Sequence, residues 1–107
     1  MASRRVRVVW SESARDALDE AIAYVAEDAP DTARRLLQTV LDAAAPLDVF
    51  SSRGRIVPEL NDIAFRELLV DPFRLIYQVT PSEVTIVALL HQARDFHTWQ
   101  GEQQRDE

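Results

Sequence analysis

Cysteine is absent from the 107 residues, so the chain has no disulfide framework, no thiolate metal site and no cysteine nucleophile, and a reducing cytoplasmic setting is expected. Lysine is absent too. All twelve basic side chains are arginine, which excludes a lysine base but leaves permanently protonated forks suited to carboxylate or phosphate. Basic charge is also scarce overall, because eighteen acidic residues against those twelve give a formal net charge of −6. Bulk nucleic-acid binding draws its affinity from counterion release by a basic surface, so this balance argues against it. No long apolar run is present: the stretch from Arg5 to Trp10 is far shorter than a signal-peptide core with its cleavage site or a membrane span of roughly twenty residues. No membrane contact is expected. The two histidines, His91 and His97, lie six apart without the second histidine or carboxylate of a zinc motif, so neither a metal nor a cofactor is expected.

What is present is enough apolar material, 47%, for one core, and the chain reads as a single domain over 1–107, its core from 5 to 99 and 100–107 a frayed tail. The β-branched and aromatic residues Val6, Val8, Val9 and Trp10 predict a first strand. Ser11 and Ser13 offer helix caps, after which Ala14, Ala17, Leu18, Ala21, Ile22 and Val25 recur at helical spacing to about Glu27. Asp28-Ala29-Pro30-Asp31 is a stop followed by a start, and Ala33, Leu36, Leu37, Val40, Leu41 and Ala44 repeat the period until Pro46 ends it. These stripes are read as core. Ser51-Ser52-Arg53-Gly54-Arg55 reads as a flexible polar loop. Strands follow at Phe65–Val70, at Phe73–Val79 with one apolar face and the other carrying Arg74, and at Val84–Leu90, which is apolar on both sides and expected to be the best buried. The fold class is α+β: a helical hairpin packed on a small, mainly antiparallel sheet in the order β-α-α-β-β-β.

Trp10-Ser11, Asp28-Ala29-Pro30, Gly54-Arg55-Ile56-Val57-Pro58-Glu59, Arg66-Glu67-Leu68, Phe73-Arg74-Leu75-Ile76-Tyr77 and His91-Gln92-Ala93-Arg94-Asp95-Phe96, in that order, resemble the RelE/ParE family of toxins from bacterial type II toxin–antitoxin pairs. The resemblance covers about Arg5 to Trp99. It implies a toxin held inactive by a cognate antitoxin encoded beside it, whose C-terminal segment would fold onto the helical hairpin groove or an open sheet edge. It also implies one of two targets. RelE-like members cut messenger RNA in the ribosome, whereas ParE-like members bind DNA gyrase.

Metal-free RNA cleavage needs a base, an acid and cations around the phosphate. For a RelE-like enzyme, a metal-independent endoribonuclease, the resemblance assigns these roles to Arg66, Arg74, His91 and Arg94, with Tyr77 as a further proton-transfer candidate. Leu68, Ala93 and Trp99 stand where such nucleases carry a second basic residue, a further arginine and a tyrosine, which favours the gyrase-binding branch. Each candidate also has a structural reading: Arg74 in an ion pair with Glu67 or Glu83, His91 bonded to backbone near Asp95, Arg94 paired with Asp95. For partner binding the candidates are Arg53, Arg55, Arg94 and Trp99. A chain that has lost toxicity remains a further alternative.

Overall fold

The computed structural model describes residues 5–92, 96 and 99–101. Strand β1 (Arg7–Trp10) leads into helix α1 (Glu12–Ala26), which starts where Ser11 Oγ accepts the Ala14 N–H at 3.1 Å. Such a cap contributes about 1 kcal/mol by satisfying an otherwise orphaned donor. After a short connection, α2 (Pro30–Ala44) opens on Pro30, whose missing N–H is no loss in a first turn, and Asp31 sits beside the positive end of the helix dipole. Helix α2 ends before Pro46, which falls in a 3-10 turn (Ala45–Asp48) that plants Leu47 fully in the core. The helix stripes are core as expected at Ala14, Leu18, Ala33, Val40 and Ala44, which are buried, but not at Leu41, which is 41% exposed on the outer side of α2.

Four more strands follow among the described residues: β2 (Arg55–Ile56), β3 (Phe65–Val70), β4 (Phe73–Val79) and β5 (Glu83–His91). They form one five-stranded sheet in the order β1-β5-β4-β3-β2, antiparallel throughout except for the parallel β1–β5 pair. The three long strands match the expected ones closely. The two-residue β2 was not anticipated; it is too short to show periodicity and exists because it pairs with β3 through Arg55↔Glu67 and Ile56↔Arg66. The middle strand of the sheet is β4 rather than β5, and Leu75, Ile76 and Tyr77 on it are all fully buried.

A strand can be buried on both sides only if something covers each face, and here two cores do so. The helix side holds the larger, with Leu18, Val40, Leu47, Leu75, Tyr77, Val84, Ile86 and Leu89. The opposite face holds a second, made of Val57, Ile76, Ala88, Leu90 and Phe96, with Leu60, Phe65 and Trp99 packed against it. A bulge in β5 makes this possible: Ile76 faces Ala88 but Tyr77 faces Ile86, so Val87 is the extra residue and the inward parity shifts from Val84 and Ile86 to Leu89. The expectation that β4 has one apolar face and one open face carrying Arg74 is therefore corrected. That face lies under the segment around Val57 and under Phe96, and Arg74 is 5% exposed.

Candidate functional site

Alternation along β3 and β4 decides which side chains can meet. Glu67 pairs with Ile76, and Leu69 pairs with Arg74, so Glu67 and Arg74 stand diagonally on the face away from the helices. Arg55, opposite Glu67 on β2, joins them there. The result is a closed chain of charges. Arg74 Nε donates to Glu67 Oε1 at 2.6 Å, while its Nη1 and Nη2 clasp both oxygens of Glu59 at 2.8 and 2.7 Å. Arg55 Nε donates to the other Glu67 oxygen at 2.5 Å. The Arg74 guanidinium also lies 5.0 Å from the centroid of the Phe96 ring.

Two arginines and two glutamates make this cluster neutral, which is how a fully buried Glu67 carboxylate is tolerated. The Glu59 fork, and then Glu67, push the Arg74 pKa up against the opposing effect of burial, so the guanidinium stays charged at every accessible pH. Reciprocally, Arg74 holds the Glu59 carboxyl below its ordinary range, outweighing partial burial. Of the two pairings considered for Arg74, the one with Glu67 is present. Glu59 and Phe96 were not foreseen, since both arrive from outside the β3–β4 hairpin that sets the register.

Arg66 belongs elsewhere. It pairs with Tyr77, and so projects on the helix side, opposite to Arg74. One of its nitrogens donates to the Gly54 carbonyl at 2.8 Å and to that of Ser52 at 3.4 Å. Gly54 N–H in turn donates to the Tyr77 hydroxyl at 2.7 Å, and Arg53 N–H to the Phe50 carbonyl at 3.0 Å. The 51–55 segment is thus pinned to the sheet, which corrects its reading as a flexible loop. Glycine is needed at 54 because a Cβ there would lie 2.5 Å from the Glu67 carbonyl oxygen and 2.6 Å from the Tyr77 hydroxyl. Burial pushes the Tyr77 phenol up, while the Gly54 N–H and the charges of Arg66 and Arg53 pull it down.

His91 lies on the helix side, across from Phe73, whose ring it meets edge-on at 5.8 Å. Trp99 packs edge-on against Phe96 at 5.4 Å, and its indole nitrogen is buried without a hydrogen-bond partner among the described residues. Arg53 is exposed, and Arg55, despite its bond to Glu67, keeps 59% of its side chain exposed. Arg94 and His97 lie outside the described residues. The structure therefore brings Arg55 and Arg74 together around Glu67 but sets Arg66 and His91 on the other face, at opposite ends of the strands. In this arrangement Arg66 and Arg74 cannot act on one phosphate. Among the described residues no group of histidine, aspartate or glutamate is placed to hold a metal, and no helix is long and apolar enough to cross a membrane.

Between the helices and the β3–β4 turn runs a groove of about 870 Å³, lined by Ala21, Tyr24, Leu36, Phe73 and Leu89, with Glu20 and Asp71 as its acidic members. Tyr24, a large aromatic, is 77% exposed among the described residues.

The sequence matches the family model of the ParE toxin of type II toxin–antitoxin systems (parDE) over residues 8–96. The chain belongs to the ParE toxin family. Among solved structures, this ParE-family chain is similar to one from the chromosomal ParDE toxin–antitoxin system of P. aeruginosa, with 21% identity and a TM-score of 0.70, over 83% of this chain and 98% of that one. It is also similar to a chain of the YoeB dimer from Staphylococcus aureus, with 14% identity and a TM-score of 0.56, over 82% and 98%. At these identities the likeness is one of fold. No curated protein matches the sequence. Toxin family and architecture thus agree with the expectation from the ordered sequence motifs.

Proposed function

We propose that this ParE-family toxin acts in the cytoplasm by binding DNA gyrase, rather than by cutting RNA, and is neutralised by its cognate antitoxin. The observation that carries this reading is the placement of the arginines. A phosphoryl-transfer site needs its cations convergent and available to the developing charge, yet Arg66 and Arg74 project from opposite faces and Arg74 is saturated by two carboxylates. The net charge of −6 points the same way. Partner contact is assigned to Arg53 and Arg55 on the pinned segment, together with Arg94 and Trp99.

The antitoxin's seat in this proposal is the groove at Tyr24, Leu36 and Phe73, where an amphipathic segment would bury exposed aromatic surface and set basic anchors against Glu20 and Asp71. Expression without the antitoxin, followed by paired assays of gyrase supercoiling and of messenger RNA cleavage on ribosomes, tests the target. Loss of supercoiling with intact RNA is the expected result. Cleaved RNA with normal supercoiling would overturn the reading, and no effect in either assay would point to another target or lost toxicity.

A further inference from the structure

At the end of the sheet remote from His91, a cavity of about 510 Å³ opens between Ser51, Ser52, Ile63, Arg66 and Thr80. Arg66 forms its cationic element. It is fixed by the Gly54 and Ser52 carbonyls, which are neutral acceptors, and among the described residues it forms no ion pair, so its charge is oriented but not neutralised. Arg53, exposed on the same pinned segment, forms no ion pair among the described residues either, and its charge and that of Arg66 both reach the Tyr77 hydroxyl. Of the two acidic residues between β2 and β3, Glu59 is taken up by Arg74 and Asp62 accepts from the Ala64 N–H at 2.9 Å. Beside these charges Ile63 is 76% exposed.

We infer that this cavity receives a carboxylate side chain of a protein partner, flanked by an apolar residue that covers Ile63, and that it faces the toxin's target rather than its antitoxin. The inference rests on the protein-binding reading above. A planar fork held rigidly by backbone carbonyls suits bidentate recognition of one carboxylate. A polyanion would meet the same arginines but also the repulsion of a chain carrying −6, and it has no use for the apolar walls supplied by Ile63, Ala64 and Val79. The helix groove, with Glu20 and Asp71, has the opposite sign, so two partners of different charge are sorted to opposite ends of the sheet.

The test titrates the ¹⁵N-labelled full chain with a capped peptide carrying one glutamate between leucines, with its glutamine counterpart, and with a short oligoribonucleotide. Amide shifts centred on Ser52, Arg66 and Thr80 are expected with the acidic peptide and weakened about tenfold by Arg53→Glu, which leaves the pins of the segment intact. Equal shifts with the glutamine peptide, shifts with the oligoribonucleotide alone, or none at all would overturn the inference. On purified gyrase, Arg53→Glu and Ile63→Asn are each expected to weaken binding about tenfold while leaving antitoxin affinity unchanged. Undiminished gyrase binding by both variants would also sink it. A chain that binds the acidic peptide at this cavity but does not bind gyrase would instead remove the gyrase target and leave the acid-binding cavity standing.

Discussion

Replacing Arg74 by methionine keeps an unbranched apolar stem but removes the guanidinium and its charge, leaving Glu67 buried with only the partner on its other oxygen, Arg55. Glu59, about a third exposed, can turn to water, but Glu67 at 0% cannot. Breaking a buried ion pair from one side costs about 3–5 kcal/mol, because the desolvation of the surviving charge is no longer offset. That is a large share of the roughly 5–15 kcal/mol that holds a small domain together. With each kcal/mol worth roughly 4–8 °C in a domain of this size, the melting temperature should fall by about 12 °C or more. Glu67→Gln should be milder, since Glu59 still clasps Arg74. The double variant should then cost less than the sum of the singles by about 1–3 kcal/mol, because the stranded carboxylate is gone and the remaining Arg55 is already largely solvated. Urea unfolding followed by circular dichroism measures all three. Additive singles, or an Arg74→Met variant within about 0.5 kcal/mol of the parent, would refute the account of Arg74 as the centre of a buried network. The same figures bear on activity assays. An Arg74→Ala protein that fails to poison cells is first of all an unstable protein, so its inactivity says nothing about catalysis unless its folded fraction is matched to the parent.

Gly54→Ala should destabilise by about 1–3 kcal/mol, because the new Cβ meets the Glu67 backbone and the Tyr77 hydroxyl, and thermal unfolding checks it; an unchanged melting temperature would mean the segment is not pinned. Ser11→Ala should cost about 1 kcal/mol in a urea melt through the lost cap on Ala14, with the helix content of the folded state preserved. Glu59 releases its proton more readily folded than unfolded, so the stability it lends is fully present above its ordinary value of 4.5 and disappears as pH falls through the lowered folded value. Glu59→Gln should therefore flatten that part of the acid limb of a stability–pH curve, and an acid limb identical to the parent's would exclude the Arg74 fork as the cause.

The elements were legible because each carries its own periodicity: the 3.6-residue stripes from Ala14 to Val25 and from Ala33 to Ala44 correspond to α1 and α2, and the β3 and β4 spans were readable from composition and their flanking turns. What local pattern cannot carry is pairing between segments distant in the chain. The parallel bond between β1 and β5 joins Arg7 to Glu83 across the whole intervening fold, and β2 is a strand only by virtue of its neighbour. The bulge at Val87 was hidden for a related reason. In a run apolar on both sides a change of inward parity leaves no mark, since Val84, Ile86, Ala88 and Leu89 are all acceptable in either core.

The candidate site shows the same division with more at stake. Motif order alone named Arg66, Arg74 and Glu67 correctly as the polar residues of the sheet, but it is silent on faces. Faces follow from register: once Arg66 pairs with Tyr77 and Leu69 with Arg74, strand alternation sends the two arginines to opposite sides of the sheet. Their environments then diverge. Arg74 meets carboxylates and an aromatic ring and is consumed within the fold, whereas Arg66, among the described residues, bonds to carbonyl oxygens and forms no ion pair. Two residues of identical chemistry, eight positions apart in sequence, thus have different physical capacities: one holds the second core together, and the other is free to recognise an anion at the rim of the sheet.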